Sequence, residues 1–198
     1  MTTPLTLRRQ MVDSQLRARG IANPRVLDAM LRVPRHEFVP EPYRAESYDD
    51  HPLPIGDNQT ISQPYVVAVM LEALDVTLND AVLEIGTGSG YVTALLAELA
   101  AQVFSVERHL ALAGNARQVL AALGYTNVRV FSGDGTLGLS AVAPFNAILV
   151  SAAAPPRARA PSRPWPRAPR RSRGIFGSAV PPARRRTTGD RRSSPASD

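Results

Sequence analysis

Val82-Leu83-Glu84-Ile85-Gly86-Thr87-Gly88-Ser89-Gly90-Tyr91 decides how this chain is read. The stretch has the pattern of a short buried strand, a glycine-rich turn and the start of a helix. Three glycines at alternate positions let the backbone turn tightly and approach a ligand with no Cβ in the way. The helix that follows aims its free N–H groups back at the same spot. Glu84 stands at the strand's carboxyl end, where open α/β sheets hold their ligands.

The spacing separates this loop from two relatives. The dinucleotide fingerprint is G-x-G-x-x-G, and Tyr91 stands where its third glycine belongs. A phosphate-binding loop needs a lysine, and none of the 198 residues is one. An acid followed by G-x-G-x-G resembles instead the S-adenosylmethionine (SAM) loop of Rossmann-like methyltransferases. A glycine-rich turn without a ligand is the plainer alternative, so the rest of the chain has to decide.

The flanking sequence supplies the sheet. Ala81–Ile85, Gln102–Val106, Val128–Ser132 and Ala147–Val150 have strand character, with helices expected over Ser89–Ala100 and His109–Leu123. Strands alternating with helices imply a parallel, doubly wound α/β sheet. Upstream, Leu7, Met11, Val12 and Leu16 mark a helix over Leu5–Arg19, closed by Gly20. Asn23-Pro24 reads as N-cap and first position of a second helix, which stops before Pro34. Residues 34–60 are expected to be an irregular loop, of a length that is usually functional or disordered. Ser62 is expected to cap the helix that contains Val66–Leu74. The division that follows is a helical region with a substrate and cofactor loop at 1–78, an α/β core at 79–156, and a tail at 157–198.

Composition narrows the class. There is no cysteine, which removes disulfides and thiolate chemistry. His36, His51 and His109 are scattered, so no metal is expected. No apolar run reaches the length of a membrane span, and the N-terminus has no secretory pattern; a cytoplasmic protein without membrane contact is expected. The net charge of +6 misleads. Residues 1–156 hold 11 Arg against 15 acids, a balance of −4, whereas residues 157–198 hold 12 Arg against 2 Asp, a balance of +10.

Each strand ends in an acid or a small polar residue: Glu84, Glu107, Asp134 and Ser151. Glu107 is placed to accept the ribose hydroxyls of a nucleoside. Asp134, between Gly133 and Gly135, is placed to meet an adenine amino group. Asn58-Gln59-Thr60-Ile61-Ser62-Gln63-Pro64, the glycine stretch, Val106-Glu107-Arg108, Gly133-Asp134-Gly135-Thr136, Ala143–Ile148 and Ala152-Ala153-Ala154-Pro155 occur in that order. Over residues 6–156 the chain thereby resembles the protein-L-isoaspartate O-methyltransferases. The Gln-Thr-Ile-Ser-Gln-Pro block is the part specific to that family.

The resemblance implies a Rossmann-like SAM-dependent methyltransferase fold with N-terminal helices. It implies SAM as methyl donor and isoaspartyl-containing proteins as substrates in protein repair, the acceptor being an isoaspartyl α-carboxylate. It also implies a monomer with no specific nucleic-acid partner. Ser62 matches the family's active-site serine. Thr60, Ile61, Glu84, Gly86, Thr87, Gly88, Gly90, Glu107, Asp134 and Gly135 would hold the cofactor. Asn146 stands where the family usually has Asp, and Val92 where Gln is common. Two alternatives stay open: methyl transfer to another carboxylate or small molecule, and a non-catalytic SAM-binding remnant with a polyanion-binding basic tail.

The family pattern stops near Pro156. Seven Pro and twelve Arg in the last 42 residues leave too little apolar surface to offset chain entropy, so a disordered tail is expected beyond the short Gly174–Val180 run. Without it the sheet is incomplete in its C-terminal half. Strand Ala147–Val150 would then be an open apolar edge, which lowers solubility and activity. The break is expected to mark out-of-frame translation or a truncated gene product. Translation of the other two frames of the coding DNA beyond residue 156 should restore apolar strands and glycine turns; two frames with neither would end that reading.

Overall fold

The computed structural model describes residues 3–152 and the backbone of 173–176. At its centre is β3 (Ala81–Ile85), hydrogen-bonded on one side to β4 (Gln102–Glu107) and on the other to β6 (Ala147–Val150), both parallel to it. β5 (Val128–Ser132) extends the β4 side. Helix α4 (Tyr91–Leu99) crosses from β3 to β4 and α5 (Leu110–Ala122) from β4 to β5. The chain therefore moves one way from β3 and returns to its other flank at β6. That reversal opens a crevice at the carboxyl ends of β3 and β6, where the glycine stretch lies.

The strands alternate sharply between two faces. Val82, Val103, Ala147 and Leu149 join the main core, with Leu95, Leu96, Leu112, Ala116 and Leu120 from α4 and α5. Leu83, Phe104 and Val106 point to the opposite face and meet Phe145. Phe104 and Phe145 pack edge to face at 5.6 Å. Among the described residues every helix lies on the first face. The second is covered by residues 139–145, which form only a short 3-10 turn at Ser140–Val142.

The N-terminal helix begins as α1 (Pro4–Gln10), continues as a π turn over Met11–Leu16, and ends in a 3-10 turn at Arg17–Arg19. The i→i+5 bonding of the π turn suits the five-residue step from Met11 to Leu16, both buried in the core. Gly20 closes it with φ +95°. In α2 (Pro24–Arg32), Asn23 Oδ1 accepts from the N–H groups of Arg25 (3.0 Å) and Val26 (3.4 Å), as its sequence requires.

Two expectations are corrected here. The cap of α3 (Pro64–Leu74) is Gln63, not Ser62, because the extended backbone before Pro64 runs one residue further than read. Residues 34–60 are not irregular throughout. They form 3-10 turns at Arg35–Phe38 and Glu41–Glu46, then a hairpin of β1 (Leu53–Gly56) and β2 (Gln59–Ile61). Asp57 and Asn58, at φ +50° and +56°, make its two-residue turn, whose left-handed backbone matches the twist of the strands. Leu53, Ile55 and Ile61 are buried, so the hairpin belongs to the core.

The tail is corrected at one place. Arg173–Phe176 forms β7, parallel to β6 and paired from Ala147↔Arg173 to Val150↔Phe176. The sheet order is β5-β4-β3-β6-β7, and β6 is not an open edge. What else is expected of the tail falls on residues outside those described. No described helix is long and apolar enough to cross a membrane.

Leu96, with no exposed surface, lies midway along α4 in the main core. Leu96→Ala should lower unfolding free energy by about 2–5 kcal/mol through lost burial and the cavity left behind; urea titration measures it.

Candidate functional site

The glycine stretch threads between strand ends. Gly86, at φ +96°, donates its N–H to Val106 O at 2.8 Å. A Cβ there would lie 2.9 Å from both the backbone N and the Cβ of Ala152, just beyond β6. Only glycine accepts both the dihedral and the approach. Gly90, at φ +90°, opens α4, and a Cβ on it would press Ala116 of α5 at 3.2 Å. Gly88 faces the hairpin: a Cβ on it would lie 3.4 Å from Ile55 Cδ1. The three glycines thus serve the strand end, the hairpin contact and the helix packing in turn.

Beneath the loop, Glu84 is fully buried. Its Oε2 accepts from Thr93 Oγ1 (2.5 Å) and Ser105 Oγ (2.6 Å), and Ser105 Oγ is also 2.5 Å from Thr87 Oγ1. Oε1 has no hydrogen-bond partner, and neither has the buried Ser151 Oγ. Burial pushes the carboxyl pKa up to about 7; hydrogen bonds from Ser105 and Thr93 oppose it, the Glu107 charge adds to it, and Ser151 pulls it down weakly from outside hydrogen-bond geometry.

Glu107 closes β4 and ties the loop to the next helix. Its Oε2 accepts from Gly88 N–H and its Oε1 from His109 N–H, each at 2.9 Å. Its backbone carbonyl accepts from Gly133 N–H at 2.9 Å, which brings the Asp134 segment alongside. Asp134 Oδ1 accepts from Thr136 N–H (2.9 Å) and Thr136 Oγ1 (2.8 Å), and these bonds hold its pKa below the ordinary value. A Cβ on Gly135 would meet Ile85 Cγ2 at 2.5 Å, so the segment lies directly on the end of β3.

Thr60 and Ile61 lie in β2, Thr60 exposed and Ile61 buried. Ser62 follows, half-buried, its carbonyl accepting from Arg35 Nη2 at 2.9 Å. The hairpin reaches the glycine loop twice, through Ile55 against Gly88 and through Asp57 Oδ2, 3.8 Å from His109 Nδ1. The structure therefore gathers Glu84, Gly86, Thr87, Gly88, Gly90, Glu107, Asp134 and Gly135 at the strand ends. Thr60, Ile61 and Ser62 are linked to them through the hairpin rather than by direct hydrogen bonds.

Thr93, Ser105 and the hairpin are absent from the sequence reading. A serine inside the apolar strand Gln102–Glu107 was one available signal, since buried hydroxyls need partners. The left-handed Asp57-Asn58 pair between alternating apolar residues was another. Asn146, the residue that departs from the usual Asp, still provides an acceptor: its Oδ1 takes the N–H of Ala81 at 2.9 Å.

Glu84 makes a pH test possible. The folded state holds the proton more tightly than the unfolded chain, so stability falls as pH rises from 4.5, its ordinary value, to about 7. The slope within that window is about 1.4 kcal/mol per pH unit at most. Glu84→Gln should remove this descending component, measured by urea unfolding across pH.

The family profile of Protein-L-isoaspartate(D-aspartate) O-methyltransferase (PCMT) matches residues 7–160. Over 148 residues the chain is 62% identical to the protein-L-isoaspartate O-methyltransferase of Syntrophus aciditrophicus strain SB, covering 75% of this chain and 68% of that one. A solved protein-L-isoaspartate O-methyltransferase is 29% identical, with a TM-score of 0.66 over 73% of this chain and 47% of its own. A structure from Plasmodium falciparum titled for the same activity, in complex with S-adenosyl-L-homocysteine, has a TM-score of 0.65 over 74% of each chain; at 24% identity the likeness is one of fold. The chain spans about two thirds of the curated relative and about half of the first solved structure. It belongs to the protein-L-isoaspartate(D-aspartate) O-methyltransferase family.

Proposed function

We propose that this chain methylates the α-carboxylate of L-isoaspartyl residues in damaged proteins, with S-adenosyl-L-methionine as donor. The observation that carries the reading is the approach of the hairpin to the glycine cradle, Ile55 against Gly88, Thr60 and Ile61 belonging to that hairpin's second strand and Ser62 following it. The cradle suits a nucleoside with a charged tail. Gly86, Gly88 and Gly90 leave the strand ends free of side chains, Glu107 is held rigidly by two N–H groups, and Glu84 keeps one buried oxygen without a partner.

In this reading Glu107 receives the ribose hydroxyls, and Asp134 with Gly135 meets the adenine. Glu84, Gly86, Thr87, Gly88 and Gly90 line the cradle, and Thr60 and Ile61 cover it. The donor supplies a methyl carbon activated by its sulfonium sulfur. The acceptor carboxylate has a pKa of about 4 and is ionised at neutral pH, so no strong general base is required of the protein. What remains is to align the acceptor and exclude water. Ser62 offers a hydroxyl to the carboxylate. With Gln63 as N-cap and Pro64 at the first position, Tyr65 and Val66 are the first-turn residues of α3 that bring amide donors. Residues 1–78 act as the acceptor-side unit on the 79–156 core. The enzyme works as a cytoplasmic monomer without a nucleic-acid partner.

Methyl transfer to an isoaspartyl peptide, compared with its aspartyl twin, tests the proposal. Transfer to the isoaspartyl peptide alone is expected, and Ser62→Ala should lower kcat/KM by roughly ten- to a hundredfold through lost orientation. Absence of transfer, or equal transfer to both peptides, would overturn it.

A further inference from the structure

Arg35 is buried with no exposed surface, although arginine is among the residues least often found inside. Its Nε donates to Ser47 O at 2.7 Å and its Nη2 to Ser62 O at 2.9 Å, while Nη1 has no partner. The guanidinium carbon sits 4.9 Å from the centre of the Tyr91 ring. Among the described residues no carboxylate lies within ion-pair distance of it. Asp50 acts on it only from further off, with its own Oδ2 taken by Arg19. Burial accordingly pulls the Arg35 pKa down.

A charge in such a place is expensive, and an apolar side chain of similar volume would fill the space at lower cost. What an apolar residue would not provide is the fork. Nε and Nη2 form one planar edge, and that edge bridges two carbonyls fifteen residues apart in sequence. The guanidinium carbon of the same group lies over the ring of Tyr91, the residue directly after Gly90. Three separate parts meet on one rigid group: the turn before the hairpin, the Ser62 carbonyl, and the first residue of α4.

We infer that Arg35 is a positioning residue, holding the acceptor segment around Ser62 in register with the glycine loop. This rests on the isoaspartyl methyltransferase reading, in which Ser62 orients the acceptor. A shift of about 1 Å at such a segment lowers turnover by as much as a hundredfold without touching the reacting groups. The Arg35 fork therefore bears on kcat for the acceptor rather than on donor affinity.

The test uses the full chain with Arg35→Lys, which keeps the charge and loses the fork, and Arg35→Met, which keeps the volume and loses both. Three quantities are read for each: kcat and KM with an isoaspartyl peptide, S-adenosyl-L-homocysteine affinity by calorimetry, and amide hydrogen exchange over residues 59–66. The expected result is cooperative melting, near-unchanged S-adenosyl-L-homocysteine affinity, kcat lowered by about ten- to a hundredfold, and faster exchange confined to residues 62–66, with Thr60 and Ile61 still held by the hairpin ladder. Wild-type kcat in either variant would overturn the inference, as would exchange that rises uniformly through β3–β5. Failure of both variants to fold would make Arg35 a structural residue and overturn it too. A wild-type chain that methylates nothing would remove the reading it rests on; the exchange pattern then decides the positioning role by itself.

Discussion

The constraint on which the rest of the structure depends is the passage of the backbone at Gly86. The chain leaves β3 between Val106 O, which takes its N–H, and Ala152, whose backbone nitrogen would lie 2.9 Å from any Cβ. Val106 is fixed by the parallel ladder to β4, and Ala152, just past the ladder to β6, by donating its N–H to Ile85 O at 3.2 Å. The turn is tight because the two ladders leave no other exit, and the left-handed dihedral follows from that. Once the chain turns there, Gly88 falls under the hairpin and Gly90 opens α4 against α5. The crevice is a consequence of sheet topology as much as of glycine.

Two buried ionisable groups flank this passage, and among the described residues neither has an oppositely charged partner within ion-pair distance. Glu84 lies beneath the loop among hydroxyls; Arg35 lies behind Ser62 among carbonyls. Both leave one buried atom unpaired. Neutral partners satisfy geometry without cancelling charge, so burial pushes the Glu84 carboxyl towards its neutral form and pulls the Arg35 pKa down. Here they bracket the glycine loop and the Ser62 carbonyl.

The legible part of the fold was the part with a strong local period. The boundaries of β3, β5 and β6 follow from apolar runs ended by glycine or polar residues, and the Asn23-Pro24 cap follows from side-chain chemistry within three residues. The hairpin was less legible, because its strands are only three and four residues long and its turn uses Asp-Asn rather than glycine at the left-handed positions. Ser62 was displaced from its expected capping role by Pro64, which already occupies the first helical position. The strand at Arg173–Phe176 overlaps the short Gly174–Val180 run that stands apart from the Arg and Pro around it, but only its pairing with β6 shows it to be a strand.

By itself, the sequence determined the α/β class, the glycine cradle with its acids at the strand ends, and the family to which they point. Each of these is written in residues close together in the chain, where spacing translates directly into backbone geometry. Tertiary structure alone decided that the hairpin sits on Gly88, that Glu84 shares hydroxyls from β4 and α4, and that Arg35 joins Ser47, Ser62 and Tyr91. Those contacts bridge between 9 and 56 residues of chain, and no local pattern records which distant partner a buried polar group will find.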